Sequence, residues 1–155
     1  MSESSRMRTA KAYLSTLATL DMTTLNGVLS DEYTLTICPA SLSLPAMDKE
    51  AYISRMTSLR TVLVGLPVTY LDIIESESSN SVWIHGTAVP EWKNEAKGDG
   101  EELEGEWDFK GEYVFMLWMD ESGEKVVRCV EMVDSLGMGK MGGLFAKAMA
   151  NVTGK

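Results

Sequence analysis

Apolar residues recur at helical spacing at the start of the chain. Met7, Ala10, Leu14, Leu17 and Ala18 fall on one face, which predicts an amphipathic helix from Ser5 to about Leu20 with that face buried. A second, short helical turn is predicted over Thr24 to Leu29, with Leu25 and Val28 inward. Tyr33 to Cys38 then alternates as a strand does, and Pro39 ends it. After the Ser/Pro loop from Pro39 to Pro45, Asp48 is placed to cap a helix, because its carboxylate can accept the free amide hydrogens of a first turn. That helix carries the stripe Tyr52, Met56, Leu59 and Leu63, widened by Ile53 and Val62, and stops at Gly65 and Pro67. Four strands are predicted next: Val68 to Glu75, Ser81 to Val89, Trp107 to Met119 and Glu124 to Asp134. A last helix runs from about Gly142 to Val152. Helices followed by long strands argue for an α+β fold, with helices gathered on one face of a curved antiparallel sheet.

The 155 residues fit one domain spanning 1–155, a length that hides roughly 70% of the surface of the unfolded chain. No apolar run approaches the roughly 20 residues of a membrane span. The first six residues lack a basic segment followed by an apolar one, so the expected location is cytoplasmic. Asn151-Val152-Thr153 matches a glycan acceptor only by accident in that setting. The net charge of −9 owes much to the stretch from Glu95 to Asp108, which repels phosphate backbones and anionic lipids. Nucleic acid and membrane partners are therefore not expected. That stretch is either a lid or a solvated loop, and charge-rich, glycine-containing runs favour the loop.

Candidate chemistry sits on the last strands. Alternation puts Val127, Cys129, Glu131 and Val133 on one face of their strand, so Glu131 is a carboxylate among apolar neighbours. Facing a cavity, it would have a raised pKa and suit acid–base work; otherwise it is a structural carboxylate bonded to backbone or to a base. Tyr113 shares a face with Phe109, Phe115 and Leu117, and is either a donor into the same cavity or a core tyrosine with a satisfied hydroxyl. His85 is the only histidine, which excludes a histidine-rich metal site and any mechanism needing two imidazoles. Cys38 and Cys129 lie in apolar segments without an adjacent base and are expected reduced. Gly137-Met138-Gly139-Lys140-Met141-Gly142 spells the dinucleotide pattern, but no further strand and acidic residue follow it, so a flexible turn is expected. No metal or cofactor is expected. The apolar character of both faces of Tyr113 to Met119 fits a sheet covered by a cavity on one side and a second subunit on the other.

Leu44-Pro45-Ala46-Met47-Asp48, Gly111-Glu112-Tyr113-Val114-Phe115 and Lys125 to Ser135 together resemble the fungal SnoaL-like proteins of secondary-metabolite clusters, within the NTF2-like superfamily. The resemblance implies a cone of curved strands closed by helices, an apolar pocket at its open end, a hydrophobic small-molecule substrate and a homodimer. It implies less about chemistry, because such proteins include cyclases, isomerases, dehydratases, epoxide hydrolases and members without known activity. No Asp-Arg-Asp arrangement of the epoxide-hydrolase type can be placed here. The resulting expectation is a cofactor-independent isomerase or cyclase in which Glu131 moves a proton, Tyr113 polarises an oxygen and His85 assists. Phe109, Phe115, Cys38 and Cys129 would line the pocket. The alternatives are a non-catalytic binding module and a dehydratase of the same fold.

Overall fold

A computed structural model describes residues 2–100 and 105–154. Helix α1 (Ser5–Thr19) opens at Ser4, whose hydroxyl accepts the Met7 amide hydrogen at 3.0 Å. Asp21 caps α2 (Met22–Val28) in the same way, and β1 (Leu29–Cys38) follows directly. A 3-10 turn and the two-residue β2 (Met47–Asp48) lead into α3 (Lys49–Leu59), where Asp48 accepts from the Ala51 amide at 2.9 Å. Next come β3 (Leu63–Gly65), β4 (Val68–Ser76), β5 (Ser81–Ala88), β6 (Glu91–Trp92), α4 (Asn94–Lys97), β7 (Gly111–Met119), β8 (Val126–Val133) and α5 (Ser135–Thr153).

The main sheet runs β2-β1-β8-β7-β5-β4. It is antiparallel at every pairing except β1 with β8, so the sheet is mixed. Strand alternation reports which face is buried and carries no information about the direction of a distant neighbour. One face is packed beneath α1 and α3: Tyr33, Leu35, Ile37, Ile84, Phe115, Leu117 and Cys129 join Tyr13, Leu14, Leu17, Tyr52 and Met56 in one core cluster. A bulge changes one expected position. Trp118 pairs with Arg128 and Met119 with Val126, so Val127 is the extra residue and Val126 takes the buried place.

Two other departures from the sequence pattern shape the molecule. The helix expected to reach Leu63 ends at Leu59, because Leu63–Gly65 pairs with Glu91–Trp92 in a small second sheet. Gly65 permits that path: a Cβ there would stand 1.9 Å from the Ala18 carbonyl oxygen. The glycine-rich stretch is not a turn but the first half of α5, which begins at Ser135 with Asp134 accepting from the Leu136 amide at 3.1 Å. Met138, Met141 and Phe145, at helical spacing, are partly buried and packed on the core, which offsets the helix cost of about 0.5–1 kcal/mol per glycine.

The acidic stretch is docked at both described ends. Asn151 Nδ2 donates to the Ala96 carbonyl at 2.9 Å, Glu106 pairs with Lys147, and Trp107 meets Trp92 edge-on with ring centroids 5.0 Å apart. These contacts place α4 and Trp107 against the C-terminal half of α5. The choice between lid and solvated loop turns on residues 101–104, which lie outside the described residues.

Candidate functional site

The concave side of the sheet leaves a cavity with two chambers. The inner one, about 60 Å³, is bounded by Leu17 of α1, Ile37 of β1, Tyr52 of α3 and Phe115 of β7. The outer one, about 380 Å³, is covered by Met138, Met141, Gly142 and Phe145 of α5. Arg55, Leu59, Leu66, Tyr113 and Glu131 line both and so form the junction. The walls are otherwise largely aliphatic and aromatic, as in sites that hold small organic molecules.

Register sets the carboxylate at the junction. Glu131 of β8 pairs with Phe115 of β7 on one side and lies beside Ile37 of β1 on the other, all on the cavity face. Loss of water pushes its pKa up to about 7, and the nearby Arg55 charge only partly opposes this. Both protonation states are therefore populated near neutral pH. Tyr113 lies on the same face, stacked on Phe115 at 5.8 Å. Its ring folds back over Gly111, where a Cβ would stand 2.5 Å from the phenol oxygen. Burial, with Glu131 and Asp134 adding repulsion, raises the phenol to about 12, so it stays a donor. Arg55 points into the junction from α3 and, among the described residues, is the one cation lining either chamber. Among the described residues no ion pair joins it to Glu131.

Beneath the inner chamber three tyrosines share a hydrogen-bonded chain. Tyr13 Oη lies 2.8 Å from Tyr33 Oη and donates to Tyr52 Oη at 3.2 Å. Tyr13 has one hydroxyl hydrogen, so Tyr33 must donate to Tyr13. The chain is directed toward Tyr52, at the chamber wall. Burial raises all three phenols, and likewise the Cys129 thiol beside them. Cys129 is thus an inert floor residue that lines neither chamber.

Several expected site residues stand elsewhere. His85 is on the opposite face of β5, 40% exposed, with Nε2 2.6 Å from Glu112 Oε1. Strand parity puts it opposite the buried face, on which its neighbours Ile84 and Gly86 lie. Cys38 shares that outer face, opposite Met132 of β8. Phe109 precedes β7 and packs beneath α5, 3.2 Å from where a Cβ on Gly137 would lie, and it lines neither chamber. Phe115 does line the inner chamber. Arg55 was missed, although its spacing of three from Tyr52 and four from Leu59 puts it on the inward stripe of α3. Among the described residues no group of three or more His, Cys, Asp and Glu side chains could hold a metal ion. No described helix is long and apolar enough to cross a membrane.

No protein-family profile matches the sequence, and no curated protein is similar to it by sequence. Solved structures are similar in shape. The BvnE pinacolase of Penicillium brevicompactum superposes with a TM-score of 0.77 at 17% identity, covering 94% of this chain and 96% of its own. A protein of the SnoaL-like polyketide cyclase type from Shewanella denitrificans gives 0.68 at 15% identity, over 86% of this chain and 93% of that one. The fold is SnoaL-like. An epoxide hydrolase of M. tuberculosis has the same SnoaL-like architecture, at a TM-score of 0.65, 14% identity and 97% coverage of both chains. Proteins named as a pinacolase, a polyketide cyclase and an epoxide hydrolase thus share one architecture, so the fold by itself does not name a reaction.

Proposed function

We propose that this protein is a cofactor-independent isomerase or cyclase for a hydrophobic natural-product intermediate of polyketide, terpenoid or alkaloid type. The observation that carries the reading is Glu131: a carboxyl group with a pKa of about 7, on the wall of an apolar cavity of about 380 Å³. Its ionised form takes a proton from the ligand and its neutral form returns one at another position, so the composition of the ligand is unchanged. Tyr113 donates a hydrogen bond to an oxygen on which negative charge develops. The walls hold one reactive conformer, which can supply several kcal/mol of the barrier when the substrate is already reactive, in the range of about 7–11 kcal/mol known for well-oriented groups. Likeness in fold to a pinacolase and to a protein of the polyketide cyclase type supports a reaction of that kind. A second copy of the chain is proposed to cover the outer face of the sheet.

The test compares metabolites of the organism carrying either the native gene or Glu131→Gln at its own locus. Replacement of the product by a compound of equal mass supports isomerisation or cyclisation through Glu131. A difference of one water points to the dehydratase alternative, and an unchanged profile removes Glu131 from catalysis and leaves a binding module.

A further inference from the structure

Arg55 and Glu131 line the same junction and carry opposite charge, yet no ion pair joins them among the described residues. Among the described residues, the others that line the two chambers carry no charge. Arg55 is half-buried at this wall, so a ligand that covers it strips water from the guanidinium, which is costly unless the ligand brings an anion to meet it. Arg55 and Glu131 thus border the same space without an ion pair among the described residues, and a ligand that enters it meets the Arg55 guanidinium. We infer that the ligand is an organic acid: an apolar body bearing a carboxylate or acidic enol oxygen that pairs with Arg55 at the junction of the chambers. This rests on the reading of the cavity as the binding site. Recognition has a consequence for chemistry. Among the described residues, the titratable groups facing Glu131 are Arg55 and Tyr52 of α3, Tyr113 of β7, Tyr33 of β1 and Cys129 on its own strand; of these only Arg55 is charged at neutral pH. An anion on Arg55 cancels the one influence that favours the Glu131 carboxylate and adds repulsion. Glu131 then takes one proton from solvent and meets the bound acid as a proton donor.

The test is calorimetric titration at pH 8 with 2-naphthoate and its neutral counterpart 2-acetylnaphthalene, bicyclic probes that suit a cavity of about 380 Å³. Arg55→Gln is expected to weaken 2-naphthoate by roughly tenfold or more and to leave the ketone unchanged, the size of effect known for hydrogen bonds to charged groups. Arg55→Lys should retain most of the naphthoate affinity. Ketone binding by each variant shows that the cavity is intact. Titrations in buffers of different ionisation heat should show proton uptake with 2-naphthoate that Glu131→Gln abolishes. Equal affinity of Arg55→Gln and the native protein for 2-naphthoate overturns the acid assignment alone. Binding of neither probe to the native protein overturns the cavity as a ligand site, and the acid assignment with it.

Discussion

A carboxyl group that holds its proton up to about pH 7 leaves a mark on stability as well as on chemistry. Glu131 has its pKa raised to about 7 in the folded protein, above the ordinary value of 4.5. Between those values the folded state holds a proton that the unfolded state has released, so stability falls as pH rises through the window and levels off above about 7. The full effect is on the order of 3 kcal/mol. Glu131→Gln has no proton to lose: denaturant titrations from pH 4 to pH 8 should lack this decline, and the variant should be the more stable protein at pH 8. Parallel curves for the two proteins would mean that Glu131 is solvated. Tyr113 depends on its neighbour in a similar way. Gly111→Ala puts a methyl where the phenol now lies, 2.5 Å from its oxygen, so the ring must swing away. The expected result is a loss of activity close to that of Tyr113→Phe, with the fold kept, measured as product formed in the host.

Element by element, the sequence spoke most clearly where a face is buried. The cap Asp48, the stripe of α3 and the alternation of β5 and β7 were legible because burial and capping are local demands, whereas the cap Asp21, which starts α2 two residues before the predicted Thr24, was not read. Position in the site was less so. Glu131, Tyr113 and Phe115 could be placed on a common face from alternation, but the same rule had to be applied across strands to remove His85 and Cys38, and that needs the register. Helix α5 was half hidden, since glycines read as a turn until a cavity exists for Met138 and Met141 to cover. Its glycines also make a prediction. Gly139 and Gly143 have helical neighbours and no atom within 4 Å of an added Cβ. Alanine at both should stabilise the protein by about 1–2 kcal/mol in total, a rise of roughly 2–8 °C in Tm. If the cover must open for ligand to enter, the same double variant binds 2-acetylnaphthalene more slowly in stopped-flow measurements; unchanged entry with raised Tm makes those glycines dispensable.

At the scale of the whole molecule, the two faces of the sheet have different tasks. The concave face carries the cavity, and the outer face carries Ile74, Trp83, Met116 and Val130 in register across four strands, with Val114, Met132 and Cys38 in the next row. Ile74 is 58% exposed and Trp83 45%, and this contiguous apolar surface is what supports the proposed second copy there. Arg128 lies 4.4 Å above the Trp118 ring and His85 pairs with Glu112, so charged groups border the patch. A second copy related by a two-fold axis would bury the patch against itself and bring the His85–Glu112 pair to the interface. On this reading the histidine belongs to assembly, and His85→Gln should leave product formation intact. Sedimentation equilibrium should give twice the chain mass of 17.1 kDa for the native protein and the single mass for Trp83→Glu, because a carboxylate in the patch would be buried there without a partner. Since Trp83 points away from the cavity, the variant monomer should still bind 2-acetylnaphthalene. A native protein that sediments at 17.1 kDa would remove the dimer and leave the outer face for a different partner; a Trp83→Glu monomer that loses the probe would instead mean that pairing of the sheets holds the cone open.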